Sequence, residues 1–126
     1  MKSFKLLIFG APFLLAASIT GVPAASAHAF PEHETPSAGQ RLIASPSEVM
    51  IKFDAPIERL FAKLQVVNAN GKPETIGSPQ LGSDAQTLSI KLAALKPGDY
   101  TVKWDVVCID SHHSEGSYVF TVGGGG

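Results

Sequence analysis

The residues most able to do chemistry are four histidines, His28, His33, His112 and His113, in a chain of 126 residues. His28 directly follows Ala25-Ser26-Ala27, and small side chains of this kind are typical of a signal peptidase site. Cleavage after Ala27 would free the α-amine of His28, a group with a reference pKa of about 8. That amine and the imidazole Nδ1 of the same residue could then chelate one metal ion.

A second group of ligands is predicted at Asp110-Ser111-His112. In an extended chain, residues two apart point to the same side, so Asp110 and His112 are expected to face one metal ion together. With His28 they would supply one amine, two imidazoles and one carboxylate. This set is too rich in nitrogen for calcium or magnesium and lacks the thiolates of a structural zinc site. It suits the tetragonal N,O coordination of copper(II), although zinc remains an alternative occupant.

The first 27 residues are predicted to be a secretory signal peptide. Lys2 and Lys5 precede an apolar run from Leu6 to Ile19, and the small residues before His28 follow it. The run is short and interrupted for a membrane span, which needs about 20 apolar residues. Two alternatives remain: an uncleaved anchor, and cleavage after Ala29, which would remove His28.

The composition of the mature chain limits its partners. Two of the ten basic residues leave with the signal, so eight remain against eleven acidic residues and the net charge is −3. Such a balance does not favour nucleic acid, which attracts basic patches. No second apolar segment follows the signal, so the mature product is expected not to insert stably into a membrane. The single cysteine, Cys108, cannot form an internal disulfide and is predicted to be a small buried residue.

Five segments alternate apolar and polar residues with the period of a half-buried strand. Their inward positions are Val49, Ile51 and Phe53; Leu64 and Val66; Leu88, Ile90 and Leu92; Tyr100, Val102, Trp104 and Val106; and Tyr118, Phe120 and Val122. Turn signals such as Asn70-Gly71 and Pro97-Gly98 separate them. The pattern predicts an all-β antiparallel sandwich or barrel over residues 28–122, with one helical turn within residues 57–63 and a flexible glycine tail at 123–126.

Several motifs run in order through residues 28–122. They are His28-Ala29; Thr35-Pro36 with Gly39; Phe53 with Pro56; the run Pro97-Gly98-Asp99-Tyr100-Thr101-Val102-Lys103-Trp104; and Asp110-Ser111-His112 followed by Gly116-Ser117-Tyr118-Val119-Phe120. In this combination the sequence resembles the CopC copper-resistance proteins, including CopC-like domains of the YobA type. The resemblance covers nearly the whole mature chain.

The resemblance implies a seven- or eight-stranded, cupredoxin-like Greek-key β-barrel or sandwich with an immunoglobulin-like appearance. It implies a periplasmic, non-enzymatic protein for copper homeostasis that sequesters copper(II) or delivers it to a CopD-type membrane importer. It also implies the metal ligands: His28 through its amine and imidazole, Asp110 and His112, an arrangement called a histidine brace.

Several positions depart from the family pattern. Phe30 stands where some members have a further histidine, and Ala55 stands where an acid is usual, with Asp54 beside it. Ser111 replaces a glycine between the aspartate and the histidine. Met50 is the only methionine of the mature chain, and a copper(I) site needs several soft sulfur ligands. We therefore predict binding of copper(II) only.

Two other functions remain alternatives, and two histidines are expected to lie outside the site. A histidine brace also occurs in oxidative copper enzymes that resemble polysaccharide monooxygenases, and the domain could instead be a simple interaction module. His33, between two glutamates, is predicted to be solvated. His113 should face away from His112 and lie on the surface or behind the ligands. Trp104 is predicted to belong to the core.

Overall fold

The alternating segments form strands in a computed structural model that describes residues 29–123. The predicted signal peptide, His28 and the last three glycines lie outside these residues. The described strands are β1 (Pro31–Thr35), β2 (Arg41–Leu42), β3 (Glu48–Phe53), β4 (Lys63–Val67), β5 (Thr75–Leu81), β6 (Thr87–Leu92), β7 (Gly98–Val107) and β8 (His113–Val122). The predicted helical turn is a short 3₁₀ turn at Arg59–Phe61.

The strands form two four-stranded sheets that face each other. The first sheet has the order β1-β3-β6-β5, and the second has the order β2-β8-β7-β4. Every pairing within the sheets is antiparallel except that of the two-residue strand β2 with β8, which is parallel. The predicted all-β sandwich is therefore confirmed, with one short parallel pair added at an edge.

Side chains from the two sheets meet in one apolar core. Phe53 and Phe120 are fully buried, and Trp104 is only 8% exposed. The Phe53 and Trp104 rings contact edge to face with centroids 5.3 Å apart, a favourable aromatic geometry. The prediction that Trp104 is a core residue is confirmed. The core thus anchors β7, the strand that leads directly to the predicted metal ligands.

The absence of a side chain at Gly116 leaves the space that the Trp104 ring fills. Gly116 pairs with Trp104 across β8 and β7, and a Cβ atom added at Gly116 would lie 2.6 Å from Cζ2 of the indole.

We expect Gly116→Ala to lower the free energy of unfolding by about 1–3 kcal/mol, because the ring must shift within a packed core. Urea denaturation measures the change. Ser117→Ala, at an exposed position on the same strand, is the control, and equal stability of the two variants would contradict the prediction.

Cys108, the single cysteine of the chain, is buried as predicted and forms no disulfide. Within residues 29–123, none of the helical segments has the length and apolar character needed to cross a bilayer.

Candidate metal centre

The predicted ligands Asp110 and His112 lie in the tight loop between β7 and β8. Ser111 donates its backbone N–H to the carbonyl of Cys108 at 2.8 Å, and Cys108 donates its own to the carbonyl of His112 at 2.8 Å. The loop is therefore a closed turn, and the expectation that Asp110 and His112 share one side of an extended chain is wrong. The turn brings the two side chains together by folding the backbone back on itself.

Asp110 and His112 are joined by two hydrogen bonds. Oδ2 of Asp110 lies 3.0 Å from Nδ1 of His112, and Oδ1 accepts the backbone N–H of His112 at 3.1 Å. Both bonds lower the pKa of the Asp110 carboxyl, and the bond from the imidazole has the larger effect. Both side chains remain solvent-accessible, at 36% and 54% exposure. The loop therefore presents a charged carboxylate and an imidazole side by side, both accessible to an ion from solution.

Ser111 adopts a backbone conformation that favours glycine. Its φ is +80°, in the left-handed region, where a Cβ atom costs roughly 1–2 kcal/mol. Ser111 is thus a strained residue between the two predicted ligands. We expect Ser111→Gly to stabilise the fold by about 0.5–1 kcal/mol, the strain relief being partly offset by the freedom of glycine in the unfolded chain.

Thermal or urea unfolding of Ser111→Gly tests this expectation. Ser117→Gly is a matched control, because Ser117 lies inside β8, where glycine should destabilise by roughly 0.5–1 kcal/mol. The interpretation fails if the two variants change stability in the same direction.

The start of the described chain is held against this loop. Ala29 is completely buried, and its backbone N–H donates a hydrogen bond to the sulfur of Cys108. Phe30 donates its N–H to Oδ1 of Asp54 at 2.8 Å, and Asp54 returns its own N–H to the carbonyl of Phe30 at 2.9 Å. Ala29 and Phe30, which follow His28 in sequence, are thus held in place by the burial of Ala29 and by the backbone hydrogen bonds of Phe30.

Cys108 connects the start of the described chain to the loop between β7 and β8. Its thiol also takes part in a side-chain hydrogen bond with Asp110. Burial, followed by the charge of Asp110, raises the pKa of the Cys108 thiol, so it stays protonated at neutral pH. Cys108 therefore interacts with both the Ala29 backbone and Asp110, and Asp110 is hydrogen-bonded to His112. Sequence reasoning assigned Cys108 to the core but missed this connecting role, and it missed the part that Asp54 plays.

His33 and His113 do not belong to the turn that joins Asp110 to His112. His33 is exposed, as predicted, and lies on β1 at the edge of the first sheet. His113 begins β8, is exposed as predicted, and places its Nε2 2.8 Å from Oδ1 of Asp105. His28 lies outside the described residues, so its role as a ligand stays a prediction.

Comparison with known proteins identifies the family. The family model described as the CopC domain matches residues 32–123, the greater part of the chain. The chain belongs to the CopC family. Protein YobA of Escherichia coli strain K12 is 33% identical over 102 residues, which cover 79% of this chain and 82% of YobA. The resemblance seen in the sequence motifs is thereby confirmed.

One further relative and two solved structures are similar to this chain. The copper transport protein CutJ of Bacillus subtilis is 29% identical over 99 residues, 77% of this chain and 18% of CutJ. The crystal structure of CopC from Methylosinus trichosporium OB3b has 30% identity and a TM-score of 0.71, covering 75% of this chain and 93% of that one. PcoC from Escherichia coli, a methionine-rich copper resistance protein, has 24% identity and a TM-score of 0.68, covering 76% and 99%. The fold is thus the cupredoxin-like β-sandwich of CopC and PcoC.

Proposed function

We propose that the mature protein begins at His28 and binds copper(II) through that residue, Asp110 and His112. The burial of Ala29 in the same core cluster as Cys108, the residue from which the loop with Asp110 and His112 departs, carries this proposal. His28 is joined to Ala29 by one peptide bond, and consecutive Cα atoms are about 3.8 Å apart. The fold therefore fixes the residue after His28 beside the loop that holds the other two ligands.

The geometry of Asp110 and His112 suits two neighbouring ligands of one ion. Donors about 2.0–2.2 Å from a metal are roughly 3 Å apart when they occupy adjacent positions. Oδ2 of Asp110 and Nδ1 of His112 are 3.0 Å apart, which matches this distance. Binding would replace the proton held between the two groups, as metal binding generally releases protons from its ligands. The amine and imidazole of His28 would complete a nitrogen-rich set of the kind that copper(II) prefers.

Copper is proposed as cargo that the protein holds, and the chain is proposed not to be an enzyme. The names of CutJ and PcoC associate this family with copper transport and resistance. The predicted signal peptide would place the mature protein in the periplasm, where it would sequester copper(II) or deliver it to a CopD-type membrane importer. Of the seven aromatic residues among the described positions, five are buried, and Phe30 and Phe61 are exposed. Nothing in this distribution favours the flat aromatic surface of a polysaccharide-degrading enzyme.

Substitutions in the loop test the proposed ligands. We expect Asp110→Asn to weaken copper(II) binding by roughly 10–100-fold, because the isosteric amide keeps the shape but loses the charge, and even groups behind metal ligands have effects of that size. His112→Ala should weaken binding at least as much. The measurement is a competition titration with a copper chelator on exported protein whose start at His28 is confirmed by mass spectrometry.

His33→Ala is the matched control, since His33 is an exposed histidine on the edge strand β1 and is not one of the proposed ligands. It should leave the affinity for copper(II) unchanged. Unchanged affinity in Asp110→Asn would remove the carboxylate from the proposed ligand set, and unchanged affinity in both loop variants would overturn the site.

A further inference from the structure

A second group of metal-binding side chains lies on the outer face of the second sheet. Asp105 on β7 and His113 and Glu115 on β8 form this group, which we call the outer triad. Even-numbered residues of both strands, such as Trp104 and Ser114, are buried between the sheets, so the odd-numbered ones point outward. The outer triad therefore projects from the face opposite the core.

The register of the two strands brings the outer triad together. Asp105 lies directly opposite Glu115, and Val107 lies opposite His113, so the histidine is a diagonal neighbour of Asp105. Nε2 of His113 is 2.8 Å from Oδ1 of Asp105, and one ligand atom from each of the three residues lies within 4.8 Å of the other two. A short rotation of exposed side chains would suffice to place all three donors around one ion.

The charges of the outer triad favour a cation. Two carboxylates directly opposite each other on neighbouring strands repel, and this repulsion destabilises the pair. Asp105 forms an ion pair with His113, whereas Glu115 forms none with any residue between 29 and 123. Lys63 lies opposite Asp105 on its other side, but no ion pair joins the two. An ion held between the carboxylates would remove their repulsion.

We propose that the outer triad is a second metal site, for a borderline divalent ion of the first transition row such as zinc(II). One imidazole and two carboxylates are donors that zinc accepts, and three protein ligands leave a position for water. The imidazole disfavours calcium and magnesium, which take oxygen ligands. The site uses none of His28, Asp110 and His112 and needs no free amine, so it goes beyond the proposed function and stands apart from it.

Zinc titration of a mature protein carrying His28→Ala and His112→Ala tests the proposal, because these changes remove two ligands of the proposed copper site. Calorimetry with zinc(II) at neutral pH should show one bound equivalent. In NMR spectra, the largest shifts on adding zinc should fall on the amides of the outer triad. Adding either His113→Ala or Glu115→Gln should weaken zinc binding at least about tenfold.

His33→Ala in the same background is the control. Like His113, His33 is an exposed histidine with two acidic residues nearby, but Glu32 and Glu34 are its neighbours in the strand and therefore point to the opposite face. It should leave zinc binding unchanged. Lack of zinc binding, or binding that survives both His113→Ala and Glu115→Gln, would overturn the proposal. Copper(II) affinity of the unsubstituted mature protein is measured separately, so failure of one site is distinguished from failure of the other.

Discussion

A mature chain with one extra glycine before His28 is expected to bind copper(II) at least about 100-fold more weakly than the chain that begins at His28. The extra residue turns the α-amine of His28 into a peptide nitrogen, so the amine and the imidazole can no longer chelate the ion together. The loss should exceed that of Asp110→Asn, because it removes one strong nitrogen ligand and the chelate ring at once. Competition titration with a copper chelator measures it.

The glycine extension should leave the fold unchanged, which separates a lost ligand from lost structure. Ala29 is buried and hydrogen-bonded to Cys108, and neither contact involves the terminal amine. Equal unfolding curves for the two chains are therefore expected. Proteolytic removal of the extra glycine should restore the affinity. If the extended chain binds copper(II) as tightly as the chain that starts at His28, the terminal amine is not a ligand.

Trp104→Ala is expected to lower the free energy of unfolding by about 3–5 kcal/mol. Trp104 is 8% exposed, contacts the Phe53 ring edge to face, and lies against the backbone of Gly116. Its removal would leave a cavity between the sheets, and surrounding side chains relax only partially into such cavities. Since native domains are typically stable by about 5–15 kcal/mol, the variant should lose a large fraction of its stability. Urea denaturation followed by circular dichroism measures the change.

Two further variants define the origin of this effect. Trp104→Phe keeps an aromatic ring in the core and should be less destabilising than Trp104→Ala. Phe61→Ala removes a ring that is 56% exposed and should change stability by no more than about 0.5 kcal/mol. A loss below about 1 kcal/mol in Trp104→Ala would show that the ring is not a principal element of the core.

The alternation of apolar residues predicted the strands that are buried on one face. Val49, Ile51 and Phe53 lie inward on β3, and Tyr100 and Trp104 lie inward on β7, as their spacing indicated. The prediction missed β1, β2 and β5, which occupy sheet edges. β1 is largely exposed and has little alternation, β2 has only two residues, and β5 contains Gly77 and Pro79 with an irregular register. These three edge strands bury few side chains, so their sequences carry little of the period-two signal, whereas the edge strand β4 buries Leu64 and Val66 and was predicted.

Part of the candidate site could be predicted from residue types, but its geometry could not. Asp110 and His112 do lie together, yet a turn at Ser111 with positive φ joins them, where an extended chain was expected. Asp110 and Cys108 interact through a loop closure that periodicity does not encode. The outer triad depends on the register of β7 and β8, which becomes visible only once the strands are paired.

The most direct test of the proposed copper site is the electron paramagnetic resonance spectrum of the exported protein, recorded after addition of one equivalent of copper(II). The N-terminus is first confirmed as His28 by mass spectrometry. We expect a tetragonal copper(II) spectrum with hyperfine splitting from several nitrogens, and loss of part of that splitting in His112→Ala. A spectrum of free or weakly bound copper from protein that begins at His28, or one that His112→Ala leaves unchanged, would contradict the proposed site.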